Sequence, residues 1–472
     1  MWKSGTLWVA LLTFGCSADH GAIDTDTDAV EEPGPAVCCG CTCVDEAWSC
    51  TAETCIDANG LAVDVRPEAG FYELPAAEVM WQGTPTSTST ARMWYAFQPA
   101  REAPESAPLV VFVNGGPGAA TSSGLMSMNI GERAVDTESS PPAVVDNPWA
   151  WTEFANLLFV DARGTGFSYE IGASPTSNVD QDAADILRVA LRFMSTHPLV
   201  RAQRVVFVGE SYGGLRVAAI ANLIWGQDEL ATGLAPDQFV DGALSDELAQ
   251  FERERFQDFV SVQGSLLEPS LREPTDAPPC PPESNYACSF PPRDLERRFD
   301  ACAEVVSDPA SLSALLGVDI TTIEWMYAEH RHTEAPRDSD QSPVSQGPMR
   351  DVFGPLLSGR KYFARFVVKY VEGGFQNRGD RLFAQLPHTR WLLTNAHQDQ
   401  VVYIPALLDG FARALVEWNF EGLVEVVGDE VRFILPDETY VMRVRDYPDS
   451  GHAVSAYAPE AIHDDVRDWL DL

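Results

Sequence analysis

The chain has 472 residues with 70 acidic against 32 basic side chains, and its formal net charge of −38 argues against nucleic acid or an anionic membrane surface as a partner. Hydrophobic residues make up 45%, enough for one large core carrying an insertion, which excludes a wholly disordered chain. Ten cysteines, six of them crowded between Cys38 and Cys55, favour an oxidising compartment.

At the N-terminus Lys3 precedes an apolar run from Leu7 to Phe14, too short to span a bilayer as a mature helix, so residues 1–16 read as an export signal. Gly15-Cys16-Ser17 has the form of a bacterial lipoprotein box, which makes Cys16 the lipidation candidate; cleavage near Ser17 or Ala18 is the alternative. The product is expected to be exported, as a cell-envelope lipoprotein or a secreted protein, touching a membrane only through that lipid. Residues 17–36, with Asp24, Asp26, Asp28, Glu31, Glu32, Pro33 and Pro35, have the composition of an acidic disordered tether. Residues 37–60 form a Cys-rich module too small for a core, expected to rely on about three disulfides. Its spacing does not give two paired C-x-x-C units, which favours disulfides over zinc. Without Cys16 the cysteines are odd in number, so at least one thiol stays unpaired or pairs between chains.

Strand signals begin near Gly70, and Ala91 to Phe97 and Leu109 to Val113 read as strands around a Pro104 to Pro108 loop. Asn114-Gly115-Gly116-Pro117-Gly118 follows the second. Such a glycine run lets backbone N–H groups converge on an anion, as in an oxyanion hole; a plain Pro-Gly turn is the competing reading. Asn156 to Val160 reads as a buried strand ending in Asp161-Ala162-Arg163-Gly164-Thr165-Gly166, a loop that no lysine follows, which excludes a phosphate-cradling nucleotide site. From Val179 to His197, Ala183, Leu187, Ala190, Leu191 and Met194 recur at helical spacing, with Asp180, Asp182 and Asp185 near the start where the helix dipole favours acids.

Arg204 to Ala219 is the organising stretch: an apolar strand, Val205 to Val208, then Gly209-Glu210-Ser211-Tyr212-Gly213-Gly214, then an amphipathic run. Strand, G-x-S-x-G and helix are the context of a nucleophile elbow, with Ser211 as nucleophile. Alternation of strands and helices predicts a mainly parallel sheet with helices on both faces. Beyond Gly226, Phe256 to Val262 reads as a strand returning to the sheet, within Pro-rich and charged sequence expected to cap the site and to be braced by one disulfide among Cys280, Cys288 and Cys302. His330 and His332 have no evident third ligand, so neither a metal nor any other cofactor is expected.

Three motifs stand in one order: NGGPG at 114–118, NPWAW with NLLFVDARGTGFSY across 147–169, and GESYGG at 209–214. Together they resemble the serine carboxypeptidase family, α/β-hydrolases that remove C-terminal residues from peptides, and in particular its bacterial-type members. The resemblance is strong over 91–225, thinner over 389–470 and absent from the first 70 residues. It implies an α/β-hydrolase fold whose core is split into 61–225 and 381–472 by a cap insertion at 226–380, with a peptide bearing a free C-terminus as substrate. By the same resemblance Ser211 attacks, the amides of Gly116 and Tyr212 form the oxyanion hole, and Asn114, Gly115 and Glu210 hold the substrate carboxylate. The family often carries a glutamate about fourteen residues after the NGGPG asparagine, where this chain reads Met128-Asn129-Ile130.

The triad partners of an α/β-hydrolase follow in the order Ser, Asp, His. Asn395 to Val402 occupies the place of the family's G-D-x-D-x-x-V segment, which makes Asp399 the acid, with His397 a rival polar group beside it. Ser450-Gly451-His452-Ala453-Val454 looks like the family's G-H-x-V-P loop, which makes His452 the general base. The same machinery serves an esterase or acyltransferase, and a non-catalytic surface binding protein on this scaffold is the remaining alternative.

Overall fold

The computed structural model describes residues 38–39, 55–56, 62, 65–81, 84–115, 120–122, 125, 128–136, 139–165, 167–171, 179–201, 203–226, 240–262, 305, 309–318, 388–396, 423–427, 430–434, 440–448, 450–451 and 453–472. Eleven strands form its main sheet: β1 (Glu68–Leu74), β2 (Thr90–Gln98), β3 (Leu109–Val113), β4 (Asn156–Val160), β5 (Tyr169–Ile171), β6 (Val205–Glu210), β7 (Asp258–Val262), β8 (Arg390–Ala396), β9 (Leu423–Val427), β10 (Glu430–Ile434) and β11 (Tyr440–Tyr447). Their order is β5-β2-β4-β3-β6-β7-β8-β11-β10-β9, with β1 paired to β2. The six central strands β4, β3, β6, β7, β8 and β11 run parallel. Both wings are antiparallel, one of them built from β9, β10 and β11.

A parallel sheet covered on both faces needs strands apolar throughout, and β3 (LVVFV), β4 (NLLFV) and β6 (VVFVGE) are buried along their whole length. The two faces still separate at a period of two. Val205 and Phe207 of β6, Val111 of β3, Phe259 of β7, Trp391 of β8 and Met442 of β11 enter one cluster, beneath α1 (Val179–Thr196) and α2 (Gly213–Trp225). Val206, Val208, Phe112, Val260 and Leu392 enter the other, which α5 (Pro459–Trp469) closes with Ile462, Val466 and Trp469. These layers make an α/β-hydrolase fold.

Between α2 and β8 lie two further described helices, α3 (Gly242–Leu248) and α4 (Pro309–Leu316). Asp241 caps α3, accepting from the N–H groups of Ala243 and Leu244 at 3.0 and 3.3 Å. Gln98 at the end of β2 donates to the carbonyls of Leu315 and Leu316 in α4 at 3.2 and 3.4 Å, so this turn of the 226–380 interval packs on the sheet's own core. The proposed export signal, tether, cysteine pairings and most of the cap lie outside the described residues.

All six parallel strands end at one edge. In an open α/β sheet ligands bind at the carboxyl ends of the strands. That edge carries Asn114 after β3 and Ser211 after β6, and at it β8 ends at Ala396 and β11 at Tyr447.

Candidate active site

Ser211 is the corner between β6 and α2 and holds a left-handed φ of +57°, a conformation an L-residue adopts only when its surroundings impose it. Its N–H donates to the carbonyl of Val262, the last residue of β7, at 3.0 Å, and its carbonyl accepts from Gly214 N–H at 2.9 Å. The side chain is half-buried and so within reach of a ligand. The flanking glycines are set by close approach. A Cβ on Gly209 would lie 2.1 Å from the carbonyl oxygen of Gly213, and one on Gly213 would lie 2.5 Å from that of Val113. Strand, corner and helix are thus folded tightly enough that only hydrogen fits at these positions.

Val113 pairs with Gly209 across β3 and β6, which brings Asn114 and Gly115 beside the elbow. At Gly115 a Cβ would lie 2.6 Å from the Glu210 carbonyl oxygen, 2.7 Å from Ser211 Cβ and 2.7 Å from the Tyr212 nitrogen. The Gly115 backbone therefore rests against the candidate nucleophile. Its mouth is closed by two hydrogen bonds at 3.1 Å, from Asn114 N–H to Thr121 Oγ1 and from Asn114 Nδ2 to the Ala120 carbonyl. Glu210 and Tyr212 are buried on either side of Ser211.

Buried charged side chains gather after β4 and along α1 and α2. Asp161 accepts from Ser122 N–H at 2.7 Å, Ser122 Oγ at 2.9 Å and Phe167 N–H at 2.9 Å. Burial pushes its carboxyl up to about 6, with these hydrogen bonds pulling the other way. Arg163 forms a bidentate pair with Asp185 of α1 at 2.6 and 2.9 Å, and also donates to the Ser89 carbonyl. Arg216 of α2 donates to Asp182 at 2.6 Å. Burial raises the Asp182 carboxyl and the adjacent guanidinium opposes the rise. The acidic residues at the start of α1 thus do more than answer the helix dipole. Two of them, Asp182 and Asp185, are buried counter-ions.

Of the residues the sequence singles out, Ser211, Glu210, Tyr212, Asn114 and Gly115 come together at this edge. Gly116, Asp399, His452 and Cys16 lie outside the described residues. β8 ends three positions before Asp399, and β11 ends five positions before His452. The sequence reading gives Asp182, Arg163 and Asp161 no place at the site and does not mention Arg216. A usable signal was present, since Arg216 is the single Lys or Arg between Val205 and Gly226.

Comparison with known proteins points the same way. Residues 72–235 match the family model described as serine carboxypeptidase. Among curated relatives, carboxypeptidase Y homolog A of Fusarium vanettenii is 29% identical over 161 residues, 34% of this chain and 29% of that protein. Serine carboxypeptidase-like 15 of Arabidopsis thaliana is 32% identical over 140 residues, 28% of this chain and 31% of that protein. The chain spans about a third of the length of the curated relatives it matches. A solved structure of a prohormone-processing carboxypeptidase from Saccharomyces cerevisiae aligns over 86% of this chain and 91% of its own, at 13% identity and a TM-score of 0.46. These relatives are fungal and plant proteins and give the bacterial-type expectation no support.

Proposed function

We propose that this chain is an exported serine carboxypeptidase that releases C-terminal residues from peptides through an acyl-enzyme on Ser211. The observation that carries the reading is the elbow itself. Ser211 is held at φ +57° between two sterically required glycines, with the Gly115 backbone packed against it.

In this reading Ser211 Oγ attacks the scissile carbonyl and gives its proton to His452, which Asp399 orients and whose positive charge Asp399 stabilises. The tetrahedral oxyanion is held by the amides of Gly116 and Tyr212. His452 returns the proton to the leaving amine, and water, deprotonated by the same histidine, then releases the acyl group. Asn114, Gly115 and Glu210 receive the substrate's free carboxylate. One Asn114 amide hydrogen is already spent on Ala120, which leaves the second for that purpose. Export through residues 1–16, with lipid on Cys16, would place this activity outside the cytoplasm.

The test is a mass-spectrometric time course on peptides with blocked N-termini and either free or amidated C-termini, with wild type and Ser211→Ala. A ladder of residues lost from the free C-terminus, absent with the amide and with the variant, is the expected result. A folded wild type that cleaves esters but produces no ladder would replace the peptidase reading with ester or acyl-transfer chemistry.

A further inference from the structure

Arg216 lies in the first turn of α2, wholly buried. Its Nε donates to Asp182 Oδ2 on α1 at 2.6 Å, and its Nη1 donates to two carbonyl oxygens of the glycine loop, that of Asn114 and, at 3.3 Å, that of Gly115. Its guanidinium carbon sits 5.0 Å from the centre of the Tyr212 ring. Stability alone does not account for this arrangement. Burying an ion pair costs desolvation that its attraction often fails to return, and two well-packed apolar side chains would hold α1 to α2 as well.

What an apolar pair could not do is grip the loop. A trans peptide is planar, with its N–H directed opposite to its C=O. A donor that takes the Asn114 carbonyl from the α2 side therefore turns the N–H of the same peptide unit, that of Gly115, to the other side. The next amide along the chain is that of Gly116, which the family resemblance assigns to the oxyanion hole. The fork of a guanidinium suits this task because it can serve Asp182 and the carbonyls at once, whereas an ammonium is a point charge on a flexible stem.

We propose that Arg216 is a positioning residue for the oxyanion hole, anchored by Asp182 and fixing the Asn114 and Gly115 carbonyls, and with them the Gly115 backbone beside Ser211 from which the chain leads on to that hole. This rests on the reading of Ser211 as nucleophile given above. Arg216 touches no reacting atom, so on an ester without a free carboxylate its effect falls on turnover, while a peptide whose carboxylate meets Asn114 and Gly115 is affected in KM as well.

The experiment uses the full chain as wild type, Arg216→Lys, Arg216→Met and Asp182→Asn. Folding is followed by circular dichroism and thermal unfolding, and kcat and KM are measured on a p-nitrophenyl ester and on an N-blocked dipeptide with a free C-terminus. Inhibition by a peptidyl aldehyde, which forms a tetrahedral oxyanion on the serine, is measured beside them. The folded variants are expected to lose about 10- to 100-fold in kcat, with KM on the ester changed less than about twofold, and to lose aldehyde affinity by a similar factor. Arg216→Lys should retain more activity than Arg216→Met.

Folded variants with kcat within about twofold of wild type would overturn the proposal, as would a kcat loss that follows the folded fraction with aldehyde affinity per folded molecule unchanged. Failure of all three variants to fold would assign the pair to the core and overturn it equally. Wild-type turnover of the ester without the dipeptide would remove the carboxypeptidase reading while leaving Arg216 to be judged on the ester. A wild type inert on both substrates would remove both.

Discussion

Gly115→Ala places a methyl group where the glycine loop meets the elbow. The new carbon would stand 2.6 Å from the Glu210 carbonyl oxygen and 2.7 Å from both Ser211 Cβ and the Tyr212 nitrogen. Two of those three atoms are backbone, so rotation of a flexible side chain cannot relieve them. Restoring ordinary contact at 3.4 Å requires the loop and the elbow to separate by about 0.7–0.8 Å. Misplacement by about 1 Å costs about 100-fold in rate, so this separation should raise the barrier by about 2 kcal/mol and lower kcat/KM by about 30-fold. The overpacking itself should lower stability by about 1–3 kcal/mol, which urea unfolding reads separately. Turnover of the ester and dipeptide by enzyme shown to be folded is the assay. A folded Gly115→Ala enzyme keeping more than half of the wild-type kcat/KM would refute the view that contact between loop and elbow sets the reactive geometry.

Three further outcomes follow from the same region. Ser211→Gly should unfold at higher denaturant than Ser211→Ala, by about 0.5–1 kcal/mol, because glycine relieves the left-handed φ of +57° at a smaller entropic cost in the unfolded chain; equal midpoints would contradict it. The Asp161 carboxyl, held up at about 6 against an ordinary 3.8, binds its proton more tightly in the folded state, so its contribution is complete below about pH 4 and is lost as pH rises through 6. Wild-type stability should therefore fall by about 3 kcal/mol across that window relative to the pH trend of Asp161→Asn, and parallel trends would refute it. Arg163→Met strands the buried Asp185 carboxylate and should cost about 3–5 kcal/mol in unfolding experiments, whereas a loss below about 1 kcal/mol would show the pair to be dispensable.

The fold was legible in the sequence wherever one-dimensional pattern and burial coincide. Val205 to Val208, Leu109 to Val113 and Asn156 to Val160 read as strands because a parallel sheet covered on both faces leaves no polar alternation to disguise them. The wings were harder, since a mainly parallel sheet is the natural reading of alternating strands and helices, while β1, β2, β5, β9 and β10 pair antiparallel. Strand β8 runs from Arg390 to Ala396, beyond the apolar Trp391 to Leu393, because backbone pairing with β11 continues under Thr394 and Asn395. At the site, Ser211 and the glycine loop were readable because their constraint is steric and selects glycine. The charges beneath were not, because an aspartate near a helix start looks alike whether it faces solvent or pairs with an arginine about 34 positions away.

That difference also explains why the elbow is built as it is. A loop made of glycines presents no side chains to pack, so its shape cannot come from a hydrophobic core; it has to come from hydrogen bonds to its backbone. The described contacts supply these from separate directions: Arg216 takes the carbonyls of Asn114 and Gly115, Thr121 and Ala120 close the loop mouth, and Asp161 holds the turn at Ser122. Each of these anchors is buried, where a hydrogen bond is strong and an unpaired group is costly, so each holds its geometry stiffly. The left-handed serine adds strain that only such a frame can sustain. Stiffness of this kind suits the proposed oxyanion hole, since donors already in place need no reorganisation when a transition-state charge forms.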